Sequence, residues 1–294
     1  MKKILITGAN GQLGNEVRSL ESRYSQFNYI YSDLPEVDIT NMELLEFFVS
    51  THKPDVIINC VAYTDVDKAE SEIEVAEKVN VFGPRNLAAV SKKVDAKFIH
   101  ISTDFVYDGR QYRPYLETDL PSPVSIYGKT KLDGEHAVLK ENAQALIFRT
   151  SWLYSNYGSN FMKTMIRLAT ERERLSVIFD QIGTPTWAHD LAETLLHIIA
   201  TNEDYTHKQG VFHYSNEGVA SWYDFAFEIM QLGEIDCEVI PICTAGYPTP
   251  ATRPHYSVMD KTKVKKDFNI SINHWKHSLK NCLQQSLKNK LVSK

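Results

Sequence analysis

The chain has 294 residues, of which 43% are hydrophobic and 23% are charged, a composition typical of globular rather than disordered proteins. Its formal net charge of −5 argues against nucleic acid or an anionic membrane as a partner, although a local basic pocket for a diphosphate is compatible with it. No apolar run approaches the roughly 18 residues that a membrane-spanning helix needs. With no leader pattern and four cysteines that lack CxxC spacing, we expect a reduced, cytoplasmic protein.

Short segments rich in Val and Ile alternate with longer amphipathic segments. Because strands separated by single helices form βαβ units, this order predicts an α/β fold with a doubly wound, Rossmann-type parallel sheet. The predicted strands are 3–7, 29–32, 55–59, 97–102, 145–150, 175–178 and 211–214. The predicted helices between the early strands are 12–22, 41–51, 83–94 and 125–142.

After about Thr150 helical patterns dominate, over residues 160–170, 190–201, 222–232 and 274–288. We expect a smaller, mainly helical C-terminal lobe that binds the substrate. The predicted dinucleotide-binding domain takes residues 1–151 plus about 183–213, and the lobe takes about 152–182 plus 214–294. The lysines within 261–266 are predicted to form a solvated face.

Three glycines follow the first predicted strand and open the first helix. Gly8 allows a tight turn, Gly11 lets the backbone approach a diphosphate, and Gly14 lets the helix pack closely on the strand. Exposed N–H groups and the positive end of the helix dipole then face the phosphates. Because the strand–turn–helix context is present, the pattern predicts a dinucleotide site, with the wider glycine spacing of short-chain dehydrogenases.

Asp33 ends the second predicted strand. A carboxylate there accepts hydrogen bonds from an adenosine ribose and repels a 2′-phosphate, and no Arg follows closely, so the residue favours NADH over NADPH. The competing interpretation is a turn aspartate before Pro35.

Tyr127 and Lys131 lie four residues apart in a predicted helix, which places both side chains on one face. Thr103 follows the fourth predicted strand, at the sheet edge where ligands of such folds bind. These three groups suit the reduction of a ketone by a nicotinamide, because the developing alkoxide must receive a proton. We predict that Tyr127 donates it and that the Thr103 hydroxyl holds the carbonyl oxygen. We also expect the Lys131 ammonium to lower the pKa of the phenol, ordinarily about 10, and to bind the nicotinamide ribose.

Further blocks along nearly the whole chain resemble the dTDP-4-dehydrorhamnose reductases, a family of extended short-chain dehydrogenases. The blocks that carry the resemblance are 8–14, 59–70, 102–109, 127–131, 149–154, 160–161, 180–185 and 253–254. The resemblance implies that NADH or NADPH reduces the 4-keto group of dTDP-4-dehydro-β-L-rhamnose to give dTDP-β-L-rhamnose, the last step in making that sugar donor.

The resemblance also implies a division of the pocket between the cofactor and the sugar nucleotide. The cofactor contacts, beyond those already named, are Gln12, Leu13, Asp38, Ile39, Ala62, Tyr63 and Thr64. The substrate contacts are Thr103, Asp104, Trp152, Asn160, Gln181 and Arg253.

Several of these assignments have an alternative. Trp152 offers an aromatic face to the apolar edge of a 6-deoxy sugar, or it belongs to the core. Arg253 has the forked donors that suit a diphosphate, or it is a surface residue. For Asp38 and Ile39, adenine contact and no contact are equally open.

The resemblance also implies that some members of the family form a dimer in which acidic residues of two chains hold Mg²⁺. Glu16 matches one such position, but His189 stands where a second acid is expected, and the C-terminal tail is basic through Lys288, Lys290 and Lys294. We therefore predict no metal site, while a homodimer stays open.

Two other functions also stay open. A sugar-nucleotide epimerase or dehydratase would recycle a tightly held NAD⁺, and dehydratases usually place acidic residues after the catalytic Thr, whereas Phe105 follows Asp104 here. A non-catalytic, NAD(P)-binding regulatory subunit would not need Thr103, Tyr127 and Lys131 together with Trp152. Thymidine and uridine nucleotides are both compatible with the sequence.

Overall fold

The computed structural model describes residues 1–201 and 208–292, with side chains up to residue 286. The strands within these ranges are β1 Lys2–Thr7, β2 Phe27–Ser32, β3 Val56–Asn59, β4 Lys97–Thr103, β5 Leu146–Thr150, β6 Leu153–Tyr154, β7 Arg174–Ile178, β8 Ile182–Gly183, β9 Thr186–Trp187, β10 Gly210–His213, β11 Ala220–Ser221 and β12 Glu238–Ile242. The helices are α1 Gln12–Ser19, α2 Met42–His52, α3 Val66–Ala69, α4 Ile73–Glu77, α5 Gly83–Lys93, α6 Ile126–Glu141, α7 Phe161–Glu171, α8 Ala188–Thr201, α9 Trp222–Gly233, α10 Thr262–Phe268 and α11 Trp275–Val292.

A six-stranded parallel sheet organises the fold, in the order β10-β5-β4-β3-β1-β2. The chain moves outward from β1 in both directions, so a crevice opens at the carboxyl ends of β1 and β3, where folds of this class bind ligands. This confirms the predicted Rossmann-type α/β class.

Helices cover both faces of the sheet, which explains why its strands are apolar throughout rather than alternating. Ile4 and Ile6 of β1 pack on one side with residues of α1 and α8, while Leu5 points to the other side. That second face is covered by α2, α5 and α6 through residues such as Leu45, Leu87 and Val138.

A separate hydrophobic core lies in the C-terminal part of the chain. Four elements, β6, α7, α9 and α11, contribute to it through Tyr154, Met165, Phe225, Ile229 and Trp275. α8 and β10 instead pack with the main sheet. The exact division of the chain into two domains stays a prediction.

Polar N-caps fix where the helices begin. Asn41 accepts a hydrogen bond from Leu44 N before α2, and Ser125 accepts one from Gly128 N before α6. The predicted helices 41–51 and 125–142 are therefore confirmed, and the first residue of each prediction is the N-cap that precedes the helix.

Three expectations about elements are wrong or incomplete. The predicted strand 175–178 exists, but it pairs with β12 outside the main sheet. Residues 66–82, left without a predicted element, form α3, α4 and a π-helical turn, Lys78–Phe82.

The third concerns the lysines. They do not form a uniformly solvated face, because Lys261 is buried beside Glu217 and the ammonium of Lys263 lies 3.1 Å from the ring centre of Phe212. Of the basic tail, Lys294 lies outside the described residues and the side chains of Lys288 and Lys290 outside the described side chains.

Candidate active site

The crevice above the sheet holds a cavity of about 640 Å³. Most of the predicted site residues line it, namely Gly11, Gln12, Leu13, Ala62, Thr64, Thr103, Asp104, Tyr127, Lys131, Trp152, Asn160 and Arg253. Cys60, Ser151, Gly158, Ser159 and Trp222 also line it, and the sequence did not single them out.

The glycine turn forms one end of this cavity, and each glycine has a steric reason. Gly8 has φ of +71°, and a side chain there would meet the backbone of Val61 at 2.8 Å. A Cβ on Gly14 would lie 2.6 Å from the backbone of Ala9, so Gly14 packs the helix on the turn itself rather than on the strand.

The first turn of α1 is open to a ligand. Gly11 is its N-cap and supplies no side-chain hydrogen bond, so the first N–H groups of α1 have no side-chain partner there. Gly11, Gln12 and Leu13 all line the cavity. The residues present therefore fit a dinucleotide diphosphate.

The acidic residues expected to contact adenosine lie near this end but outside the cavity lining. The carboxylate of Asp33 accepts hydrogen bonds from Asn10 N and Leu34 N, both at 2.8 Å. Hydrogen bonds from Thr40 lower the pKa of Asp38. Ile39 is buried in the core, and its contacts with adenine stay a prediction.

The loop after β3 is held by the π-helical turn. Asn80, in that turn, accepts a hydrogen bond from Tyr63 N at 2.9 Å and donates to Thr130 of α6 at 3.1 Å. Ala62 and Thr64 consequently face the cavity, whereas the Tyr63 hydroxyl donates to Glu72 at 2.6 Å.

Tyr127 and Thr103 both line the cavity. The ring of Phe105 packs edge-on against Tyr127, with ring centres 5.5 Å apart. Burial raises the pKa of Tyr127 to about 12, and the charge of Asp104 acts in the same direction. The pKa of the phenol is therefore raised overall rather than lowered, which keeps the phenol in its protonated, proton-donating form, and stabilisation of the phenolate by Lys131 stays a prediction.

Lys131 is fully buried one helical turn after Tyr127. Its ammonium donates to the Ile101 carbonyl at 2.8 Å. Burial lowers the pKa of Lys131 to about 8, and the nearby carboxylate of Glu135 opposes that shift. The ammonium thus keeps its proton at neutral pH.

Glu135 belongs to a buried ion pair that ties α6 to the sheet. Arg149 of β5 donates to its carboxylate from Nε and Nη2, the latter at 2.6 Å, and Ser102 also donates to it. Arg149 reaches the Tyr107 hydroxyl at 2.7 Å as well. Arg149 therefore holds α6, which carries Tyr127 and Lys131, against the sheet, and it does not line the cavity.

Asp104 lines the cavity beside Thr103 and carries a buried oxygen without a partner among the described residues. This oxygen is Oδ2, while the other carboxylate oxygen accepts from Thr103 at 3.1 Å. Burial raises the pKa of Asp104 to about 6. A buried acceptor of this kind suits a sugar hydroxyl.

Trp152 forms an aromatic wall with a residue that the sequence did not indicate. Its indole stacks on Trp222, with ring centres 3.6 Å apart and planes within 7°. Gly183 leaves room for the ring, because a Cβ there would lie 2.6 Å from it. Trp152 lines the cavity, and this outcome favours the pocket alternative over the core.

Asn160 joins the C-terminal lobe to the glycine turn. Its side chain donates to Gln12 Oε1 at 3.0 Å and caps α7 by accepting from Lys163 N. It also donates to the Ser155 carbonyl at 2.7 Å, and its predicted contact with the substrate stays a prediction.

The two remaining substrate candidates differ. Arg253 lines the cavity and donates to both oxygens of Asp67, at 3.0 and 2.8 Å, with Nη1 also donating to Thr249. Gln181 is buried and donates to Thr244 at 3.1 Å, away from the cavity lining.

Glu16 lies inside the protein. Its carboxylate accepts from Ser155 at 2.6 Å and contacts His189 Nδ1 at 3.0 Å. In the part of the chain that the structure describes, no three His, Cys, Asp or Glu side chains are grouped as a metal site would need. Nor does any described helix have the length and apolarity to cross a bilayer.

The family model described as RmlD substrate binding domain matches residues 1–288 of the chain. The dTDP-4-dehydrorhamnose reductase of Aggregatibacter actinomycetemcomitans is 41% identical, over 96% of this chain and 98% of the relative. The chain belongs to the dTDP-4-dehydrorhamnose reductase family.

Solved structures agree with this membership. A dTDP-4-dehydrorhamnose reductase from Clostridium acetobutylicum is 44% identical and superposes with a TM-score of 0.91, covering 96% of this chain and 99% of that one. The enzyme of the same name from Bacillus anthracis, solved in complex with NADP, is 38% identical with a TM-score of 0.92, over 97% of this chain and all of that one.

Proposed function

We propose that the protein is an oxidoreductase of dTDP-rhamnose biosynthesis that uses NAD(P)H to reduce the 4-keto group of dTDP-4-dehydro-β-L-rhamnose to dTDP-β-L-rhamnose. The observation that carries the proposal is the meeting of Thr103, Tyr127 and Lys131 in the cavity that the glycine turn closes at one end. Family members of 38% to 44% identity that bear the name of this reductase support the choice of substrate.

Gly11, Gln12 and Leu13 would hold the dinucleotide diphosphate, with Ala62 and Thr64 beside them. When bound, the dinucleotide supplies the hydride that adds to the carbonyl carbon of the sugar. Asp33 at the end of β2 favours NADH, while the NADP complex of the Bacillus anthracis relative supports NADPH, so both cofactors enter the test.

Tyr127 supplies the proton in this proposal. As the carbonyl carbon gains the hydride, the carbonyl oxygen takes the phenolic proton, so the ketone becomes a secondary alcohol and Tyr127 becomes a phenolate. The Thr103 hydroxyl donates to the carbonyl oxygen and the Lys131 ammonium stabilises the phenolate. The phenolate regains its proton from solvent before the next turnover.

The remaining side chains support recognition of the substrate. The free oxygen of Asp104 would accept a sugar hydroxyl, and Trp152 would contact the apolar edge of the sugar. Arg253 would reach a phosphate only by sharing its donors with Asp67. Roles for Asn160 and Gln181 at the nucleotide, a homodimer and a cytoplasmic location stay predictions.

An epimerase or dehydratase is the second candidate, and one observation weighs against a dehydratase. The position after Asp104 is Phe105, whose ring packs against Tyr127, so no second carboxylate follows the catalytic Thr. A regulatory, non-catalytic role is disfavoured because the proton donor and both of its neighbours are present together.

The test is to supply purified protein with dTDP-4-dehydrorhamnose and NADH, and separately NADPH, while following nicotinamide absorbance. We expect one equivalent of reduced cofactor to be consumed per dTDP-rhamnose formed, with the product identified by mass spectrometry. Copurified NAD⁺ and sugar conversion without added cofactor would instead indicate an epimerase or dehydratase. No conversion of any kind would leave only the binding role.

A further inference from the structure

Trp222 is the first residue of α9, and it reaches the same cavity as Thr103 and Tyr127. Its ring lies on the indole of Trp152, and Phe161 leans on its side with ring centres 4.6 Å apart. Trp222 therefore belongs to the wall of the cavity, although no motif of the sequence includes it.

The position of the Trp152 ring depends on Trp222. Trp152 has φ of +47°, a left-handed conformation that is unfavourable for a residue with a side chain and persists only when its surroundings impose it. Glycine at position 183 leaves space for the Trp152 ring, because a Cβ there would lie 2.6 Å from it. The ring of Trp222 stacks in parallel on the Trp152 ring. The stack thus fixes the plane of Trp152.

This wall stands beside the reacting groups. Thr150 pairs with Thr103 in the parallel sheet, and Trp152 follows Thr150 by two residues. Two buried polar atoms without described partners lie at the same end, Oδ2 of Asp104 and the hydroxyl of Thr150. The lining of this cavity therefore combines an aromatic surface with polar groups that have no partner among the described residues. A deoxy-sugar ring needs both, because it carries C–H and methyl groups on one edge and hydroxyls on the other.

We propose that Trp222 is a specificity-determining residue, which together with Trp152 forms the apolar wall for the sugar half of the sugar nucleotide. The inference rests on the proposed function. Trp222 should contribute to the affinity for the sugar half of the substrate. It should not contribute to the affinity for the nucleotide half or for the dinucleotide cofactor.

Binding measurements test this without turnover. Calorimetry gives the affinities of wild type, Trp222→Ala and Trp222→Phe for dTDP-β-L-rhamnose and for dTDP alone, and fluorescence titration gives the affinity for NADH or NADPH. We expect Trp222→Ala to weaken dTDP-rhamnose binding about 30-fold, because the sugar would lose the apolar surface of the indole. Its affinities for dTDP and for the cofactor should stay within about 2-fold, and Trp222→Phe should restore most of the loss.

Two controls separate recognition from packing. Phe227→Ala, an exposed residue on the same helix outside the cavity, should change none of these affinities. Stacked indoles give an exciton couplet in circular dichroism, and Trp222→Ala should lose it while keeping a cooperative unfolding transition. If that variant does not fold, Trp222→Leu keeps an apolar side chain without the stack and takes its place.

The outcomes are distinct. Equal losses for dTDP-rhamnose, dTDP and cofactor overturn the proposal, because they mean a general packing role. Unchanged dTDP-rhamnose affinity also overturns it. A wild-type protein that binds dTDP-rhamnose through Trp222 but does not reduce the keto sugar contradicts the proposed function and leaves the role of Trp222 intact.

Discussion

The two ends of the cavity are built in different ways. The cofactor end, where we propose that the dinucleotide diphosphate binds, is built around a backbone turn in which Gly8 and Gly14 exclude side chains by close contact. The sugar end, where we propose that the sugar binds, consists of side chains from distant segments, with Trp152 and Trp222 stacked between Gly183 and Phe161. A backbone site is fixed by the turn itself, whereas a side-chain site depends on each packing partner. We therefore expect that cofactor binding and sugar recognition can be damaged separately.

The largest expected effect lies between the two ends. Tyr127→Phe removes only the proton donor, and general acid catalysis contributes about 10² to 10⁴ in rate, so we expect kcat to fall about 1,000-fold. Affinities for cofactor and dTDP-rhamnose should stay near wild type, because the ring still packs on Phe105. Stopped-flow hydride transfer and equilibrium titrations measure the two parts.

Tyr112→Phe, a substitution at a fully solvated tyrosine, is the matched control and should leave kcat unchanged. Normal turnover in Tyr127→Phe would show that another group donates the proton. Loss of cofactor affinity in that variant would contradict the separation of the two ends.

Two glycine substitutions should each disturb one end of the cavity and leave the other end unchanged. In Gly14→Ala the new Cβ would lie 2.6 Å from the backbone of Ala9, so α1 must move from the turn and cofactor affinity should fall about 100-fold. In Gly183→Ala the Cβ would meet the clamped ring of Trp152, so kcat/KM for the sugar nucleotide should fall about 30-fold with cofactor affinity kept. Fluorescence titration and steady-state kinetics measure both.

Gly246→Ala is the control for adding a methyl group, since its Cβ meets nothing closer than 4.0 Å. The comparison fails if Gly14→Ala and Gly183→Ala lose cofactor affinity and sugar recognition in the same proportion.

The same difference between the ends explains what the sequence predicted. Gly8 to Gly14 and the pair Tyr127 and Lys131 are local patterns, so their spacing alone indicated the fold and the chemistry. Trp222 and Gly183 act through Trp152, which is remote from both in the chain, and no periodicity encodes such a contact. Burial explains the opposite direction of the Tyr127 pKa, because the depth of a side chain depends on packing from the whole chain.

Buried charge at the sugar end should affect stability rather than binding or turnover, and its effect should depend on pH. Burial raises the pKa of Asp104 to about 6, from an ordinary value of 3.8, so its favourable contribution to stability is complete below about pH 4 and is lost as pH rises through 6. Asp104→Asn should therefore gain stability relative to wild type over that interval, by at most about 3 kcal/mol at pH 7.

Thr40 lowers the pKa of Asp38 near the cofactor end, so that carboxylate stabilises the fold above about pH 4 and ceases to do so in acid. Asp38→Asn should be less stable than wild type by an amount that is constant above about pH 4 and shrinks as pH falls below it. Urea unfolding of the three proteins between pH 2 and pH 7 measures both differences. A stability difference between Asp104→Asn and wild type that does not change between pH 4 and pH 7 would mean that Asp104 is solvated rather than buried.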